Sequence, residues 1–200
     1  MSEQALIKVK AATAAEVCAN FNLKKEAQAL LHPKMTPVEF VQSLLAHKQY
    51  VAGIDFIAHA LPPREAVWWG CLCVQHAMGD KLSPQEKSAC AAAVAWALWP
   101  VEENRAAARA PAEAAGPTSP ASALASAAFQ TGGNLAPPKA PPMPPPPFAP
   151  AKGVAGAVKL ASTKCDPIKI PDTQRLFVEL GIGVAEGRFV QPEVANKTTD

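Results

Sequence analysis

Cys71, Cys73, His76 and Cys90 are the residues whose types and spacing come nearest to a metal site. Thiolate and imidazole are the ligands of structural zinc, but such sites draw on paired Cys-x-x-Cys spacings. A helix turns by about 100° per residue, so Cys71 and Cys73 point roughly 200° apart and cannot share one ion. Cys73 and His76 share a face, which leaves two ligands only. The spacing implies no metal and no other cofactor. Nucleophilic catalysis would need a Cys or Ser beside a base oriented by a third group. The four histidines are His32, His47, His59 and His76. His47 and His59 fall near opposite ends of an expected hairpin, and His32 precedes a proline in a loop. No Gly-x-x-x-x-Gly-Lys-Ser/Thr run and no Gly-x-Gly-x-x-Gly after a strand is present, so nucleotide binding by those routes has no support. The expectation is a chain that is not an enzyme. An alternative is an enzyme or small-ligand protein with a pocket among helices, using Asp55, His59 or Glu65 near the hairpin junction.

The five cysteines, Cys18, Cys71, Cys73, Cys90 and Cys165, are odd in number and show no disulfide spacing. Four sit among apolar residues in a helical pattern and read as reduced core fillers. The tryptophans are more suggestive. Trp68 and Trp69 are adjacent, so on a helix their indoles diverge by about 100° and cannot both face one core direction. One of them is then free to reach a groove or a proline-rich segment, since prolines stack well on indoles. Arg64, Trp68, Trp69 and His76 make the candidate interaction surface.

The elements that must hold these residues are helices with legible starts. Thr13-Ala14-Ala15-Glu16, Thr36-Pro37-Val38-Glu39 and Ser83-Pro84-Gln85-Glu86 match the capping box, the last two with proline at the first helical position. Helix starts near 14, 37 and 84 follow. Val38, Val41, Leu44 and Leu45, then Val51, Ile54, Ile57 and Leu61, give two helices of an antiparallel hairpin. Pro62-Pro63 restarts the chain into a helix from Arg64 to Met78 that is apolar on nearly every side and therefore central. An alanine-rich helix spans Pro84 to Trp99, a further one Val101 to Ala115, and a short one runs from Ser119-Pro120 to Phe129. Beyond a hint at Ala5–Val9, no β alternation appears. The fold class expected is all-α, an irregular multi-helix bundle of hairpins without a fixed repeat.

Nine prolines in the fourteen residues Pro137–Pro150 exclude helix and ladder and favour an extended polyproline II strip. At roughly 3.1 Å per residue it could span on the order of 40 Å and hold two pieces apart. The organisation expected is a helical bundle over 1–131, a proline-rich linker over 132–151 and a helical tail over 152–200. Within the tail, Val154 to Ala161 suggests a short helix, Ile168-Lys169-Ile170-Pro171 an extended crossing, and residues up to about Ala185 a second helix. Leu176, Phe177 and Leu180, with Val184 and Phe189, form its apolar side and are the candidate tail contact, packing back on the bundle or onto a partner.

The 200 residues carry a net charge of +2 and 49% apolar content, enough for one core plus an appendage. Lys and Arg do not cluster on one face, which argues against nucleic acid. The first residues lack the apolar run of a signal peptide, and nothing reaches eighteen uninterrupted apolar residues, so a cytoplasmic protein with no membrane insertion is expected.

The run from Tyr50 to Cys71 (YVAGIDFIAHALPPREAVWWGC) and the run from Ala128 to Pro137 (AFQTGGNLAP), followed by prolines and a terminal helix, resemble an uncharacterised bacterial family of small helical proteins. Genes of that family often lie near type VI secretion genes. The resemblance implies an adaptor, chaperone or accessory role with protein partners, a secretion-system component or effector, and brings no catalytic residues with it. The sequence thus points to a non-enzymatic protein-interaction module. A second alternative is an immunity-type protein that occupies a toxin, though balanced charge argues against the charged face such a protein needs.

Overall fold

The computed structural model describes residues 5–136 and 139–191. Residues 1–4, Pro137 and Pro138 of the strip and 192–200 of the tail lie outside the described residues. Among the described residues there are eleven α-helices and no strand. They are α1 (Ala14–Cys18), α2 (Lys25–Gln28), α3 (Pro37–Ala46), α4 (Tyr50–Ala60), α5 (Pro63–Met78), α6 (Pro84–Leu98), α7 (Glu102–Ala107), α8 (Arg109–Ala115), α9 (Pro120–Phe129), α10 (Ala149–Ser162) and α11 (Ile170–Ala185). The all-α expectation holds, and the hint of a strand at Ala5–Val9 becomes a turn in which Lys8 N donates to Ala185 O.

Local chemistry sets the helix starts. Thr36 and Ser83 each accept from the backbone N–H of a glutamate three residues on, Glu39 and Glu86, whose carboxylates accept from the cap N–H in return. Thr13 accepts from Glu16 N, while the Glu16 carboxylate reaches Ala12 N instead.

The apolar helix α5 is central as expected. Ala66, Val67, Trp69, Gly70, Cys71, Cys73 and Val74 are buried, and α6, α9, α10 and α11 pack around it. Gly70 makes this possible on one side: a Cβ there would collide with Leu124 of α9, so only a bare backbone allows the two helices so close. Gly181 does the same for α11, where a Cβ would stand 2.7 Å from Ile57 and 3.0 Å from Trp69.

Three expectations are corrected. The helix read over Val101–Ala115 is two, α7 and α8, jointed at Ala108. Pro111 explains the joint, since it has no N–H to give the carbonyl four residues back and its ring crowds that carbonyl. The crossing at Ile168–Pro171 is not extended: a 3₁₀ turn at Pro167–Lys169, capped by the Asp166 side chain on Ile168 N, runs straight into α11. Pro171 falls in the first turn of α11, where its fixed φ suits a helix. Finally, the strip does not hold two bodies apart. Leu135 N donates to Met143 O across it, and α10 packs directly against α9, α5 and α4. Val154, Ala157, Val158 and Ala161 of α10, and Phe177, Val178, Val184 and Ala185 of α11, join one hydrophobic core with α3 to α6 and α9. The C-terminal helices therefore pack back on the bundle.

Candidate functional site

The strip returns to the helices at Phe148, which adopts a left-handed backbone (φ 58°) ahead of α10. Asn134 holds the strip at its middle: the side-chain oxygen accepts from Met143 N at 2.7 Å and, just before the strip, from Ala136 N at 3.0 Å. Every residue from Lys139 to Phe148 except the half-buried Pro145 is exposed, including Met143 at 53% and Phe148 at 44%. Six of these ten residues are prolines.

Beneath the strip lies the junction of α4 and α5. His59, in the last turn of α4, is half-buried with its ring stacked on Phe21 at 4.7 Å and tilted against Phe148 at 6.2 Å. Its Nδ1 lies 2.7 Å from the Asp55 carbonyl oxygen, while Nε2 is buried with no hydrogen-bond partner among the described residues. Burial pushes the imidazole pKa down; the Asp55 carbonyl and carboxylate oppose that, and the Lys152 and Lys159 charges add to it. Asp55 itself is paired with Lys159 at 2.6 Å, tying α4 to α10.

The four residues of the candidate interaction surface divide between roles. Trp69 has no exposed surface, and its Nε1 donates to Phe177 O at 2.8 Å in the core. Trp68 is half-buried and donates to Phe189 O at 3.1 Å. Both indole N–H groups thus serve the C-terminal segment rather than the strip. Arg64 caps the end of α6, donating to Ala97 O at 2.7 Å and Leu98 O at 3.3 Å. His76 is exposed and meets Phe177 edge-on at 6.0 Å. In α11, Phe177 is fully buried, whereas Leu176 and Leu180 flank the buried stripe and are half-buried.

Four thiols are held protonated by burial. Burial raises the Cys71 and Cys73 pKa values far above the ordinary thiol range, and those of Cys18 and Cys90 to about 11. Among the described residues, no three His, Cys, Asp or Glu side chains gather closely enough to hold a metal ion. No described helix is long and apolar enough to cross a membrane.

A family model described as a family of unknown function (DUF6931) matches residues 40–185. The chain belongs to that family. The matched span runs from Phe40 in α3 to the last residue of α11 and so takes in α5, His59 and the strip. No curated protein and no solved structure matches the chain. Membership of an uncharacterised family agrees with the resemblance drawn from the Tyr50–Cys71 and Ala128–Pro137 runs. His59 and Asp55 were legible as pocket residues near the hairpin junction. Phe21 and Phe148, which enclose the imidazole, were not, because they come from distant loops; the single signal was a phenylalanine closing a run of four prolines.

Proposed function

We propose that this protein is a non-enzymatic protein-interaction module whose recognition element is the strip from Lys139 to Phe148. One observation carries the reading: in a fold that packs its other apolar segments into one core, this proline-rich segment stands exposed, held at Met143 by Asn134 and at Phe148 by the start of α10. Polyproline segments are suited to capture. Their backbone is already restricted, so little entropy is lost on binding, and their rings fill aromatic-lined grooves. The partner this chemistry fits is a protein with such a groove. The buried Cys71 and Cys73 thiols, held in the protonated form, are poor nucleophiles, which fits packing rather than covalent catalysis for these two. The sequence resemblance supplies the setting, an adaptor, chaperone or accessory protein of a bacterial type VI secretion apparatus acting in the cytoplasm.

The test is affinity purification of the tagged full chain from its native cells, beside a variant with Pro144, Pro145, Pro146 and Pro147 changed to Ser. A partner held by the full chain, lost with the variant and displaced by a synthetic peptide of residues 139–148 is the result expected. Equal recovery by both chains, or a partner indifferent to the peptide, would remove the strip from recognition.

A further inference from the structure

A cleft of about 380 Å³ separates the strip from the helices, walled by Ala58, Leu61 and Ala66 on one side and Pro145, Pro146 and Phe148 on the other. Its size falls within the range of small-molecule sites, which are mostly apolar with a few placed polar groups. His59 lines this cleft, together with Gln130 and Thr131. The Thr131 hydroxyl is already committed to Ala128 O at 2.8 Å.

The state of His59 follows from its neighbours. A carbonyl oxygen only accepts, so the 2.7 Å contact with Asp55 O places the proton on Nδ1. A neutral ring with Nδ1–H presents Nε2 as a lone-pair acceptor. Nε2 has no acceptor or donor facing it among the described residues and is shut off by the surrounding side chains. A buried lone pair without a donor is unfavourable, and such atoms normally have a partner. Phe148 is the least packed residue beside the imidazole: it is 44% exposed, stands ahead of α10 rather than within it, and its ring is 6.2 Å from the imidazole.

We infer that the cleft binds a small, largely apolar molecule bearing one hydroxyl or N–H donor, which is given to His59 Nε2 while Phe148 turns aside to admit it. The apolar walls take the body of the ligand and the imidazole fixes its orientation. The inference goes beyond partner capture by the strip's outer face, and its failure leaves that reading untouched.

The probes are 1-naphthol and 1-methoxynaphthalene, alike in shape, of which only the first can donate. Binding of each to the full chain is followed by calorimetry near pH 8, and the His59 ring nitrogens are followed by NMR in protein carrying [15N]histidine. Naphthol should bind about tenfold tighter, the worth of one buried hydrogen bond that the ether cannot make. The Nε2 resonance should move with naphthol and stay with the ether, and His59→Phe should erase the preference. Naphthol affinity should also fall as pH is lowered through the imidazole pKa, because protonated Nε2 becomes a donor. The charged groups acting on that titration are Asp55 on α4 and Lys152 and Lys159 on α10. Should His59→Phe fail to fold, the wild-type comparison and the NMR decide alone. Equal affinity for the two probes, binding of neither, or an unmoved Nε2 resonance overturns the inference.

Discussion

Trp68 and Trp69 are neighbours of one type in one helix, and replacing each with Phe should have very different costs. Trp69 is fully buried and its indole N–H reaches Phe177 O at 2.8 Å. Phe in its place leaves about 40 Å³ unfilled, which at about 24 cal/mol per Å³ costs about 1 kcal/mol. The apolar surface lost with the second ring adds about 1 kcal/mol. The hydrogen bond adds about 0.5–1 kcal/mol, near the low end because that carbonyl lies inside α11 and also serves its helix. The sum is about 2.5–3 kcal/mol, or about 5–12 °C in melting temperature for a chain of this size. Trp68 is half-buried and its bond to Phe189 O, at 3.1 Å, is exposed, so Trp68→Phe should cost about 1 kcal/mol or less. Urea unfolding followed by far-UV circular dichroism measures both, with the slope against denaturant checked for constancy. Equal losses, or a larger loss for Trp68, would refute the assignment of Trp69 as the pin between α5 and α11.

Arg105 is 6% exposed and its guanidinium donates to both Glu102 oxygens and, at 2.6 Å, to Phe129 O, with its ion lying 4.9 Å over the Phe129 ring. Since Glu102 is largely exposed, the carbonyl and ring contacts dominate, and Arg105→Lys, which keeps the charge and loses the fork, should cost about 2 kcal/mol in the same unfolding assay. Glu86 has its pKa lowered by the Ser83 backbone N–H first, against burial, and then by the Ser119 and Ser83 hydroxyls and Lys164. A depressed carboxylate contributes stability above its unfolded pKa and loses it as pH falls through the folded one, so the melting temperature should drop from about pH 5 downward and drop less in Glu86→Gln. An identical pH profile in the two proteins, by scanning calorimetry, would exclude Glu86 as a contributor.

Much of this architecture could be read locally. Thr36 with Glu39 and Ser83 with Glu86 announce their helices because each cap is a bond between residues three apart. The centrality of α5 was legible too, because a helix apolar all round has to be surrounded. Other features are local but masked by composition. Pro111 sits inside an alanine-rich run whose composition favours one helix, yet a single missing donor suffices to joint it. Of the apolar side expected for α11, Phe177 and Val184 are buried, while Leu176 and Leu180 lie at its flank and Val178 joins the buried stripe beside Gly181, where Ile57 and Trp69 approach the bare backbone. The cleft was only half legible. His59 stood out by type, but its orphaned nitrogen depends on Phe21 and Phe148, brought together by tertiary packing that no spacing encodes.

The place of α10 against α9, α5 and α4 sets the order in which this protein can mature. A nascent chain emerging from the ribosome presents α5 long before the residues that sheath it exist. Until α11 is made, the indole N–H of Trp69 lacks Phe177 O and the bare backbone at Gly53 lacks Val178, so both face open water or a holding factor. Contacts so distant in sequence close late and leave apolar surface waiting. The strip is then the tether by which the closing piece arrives. Shortening it should act on the yield of folded protein before it acts on anything the folded protein does.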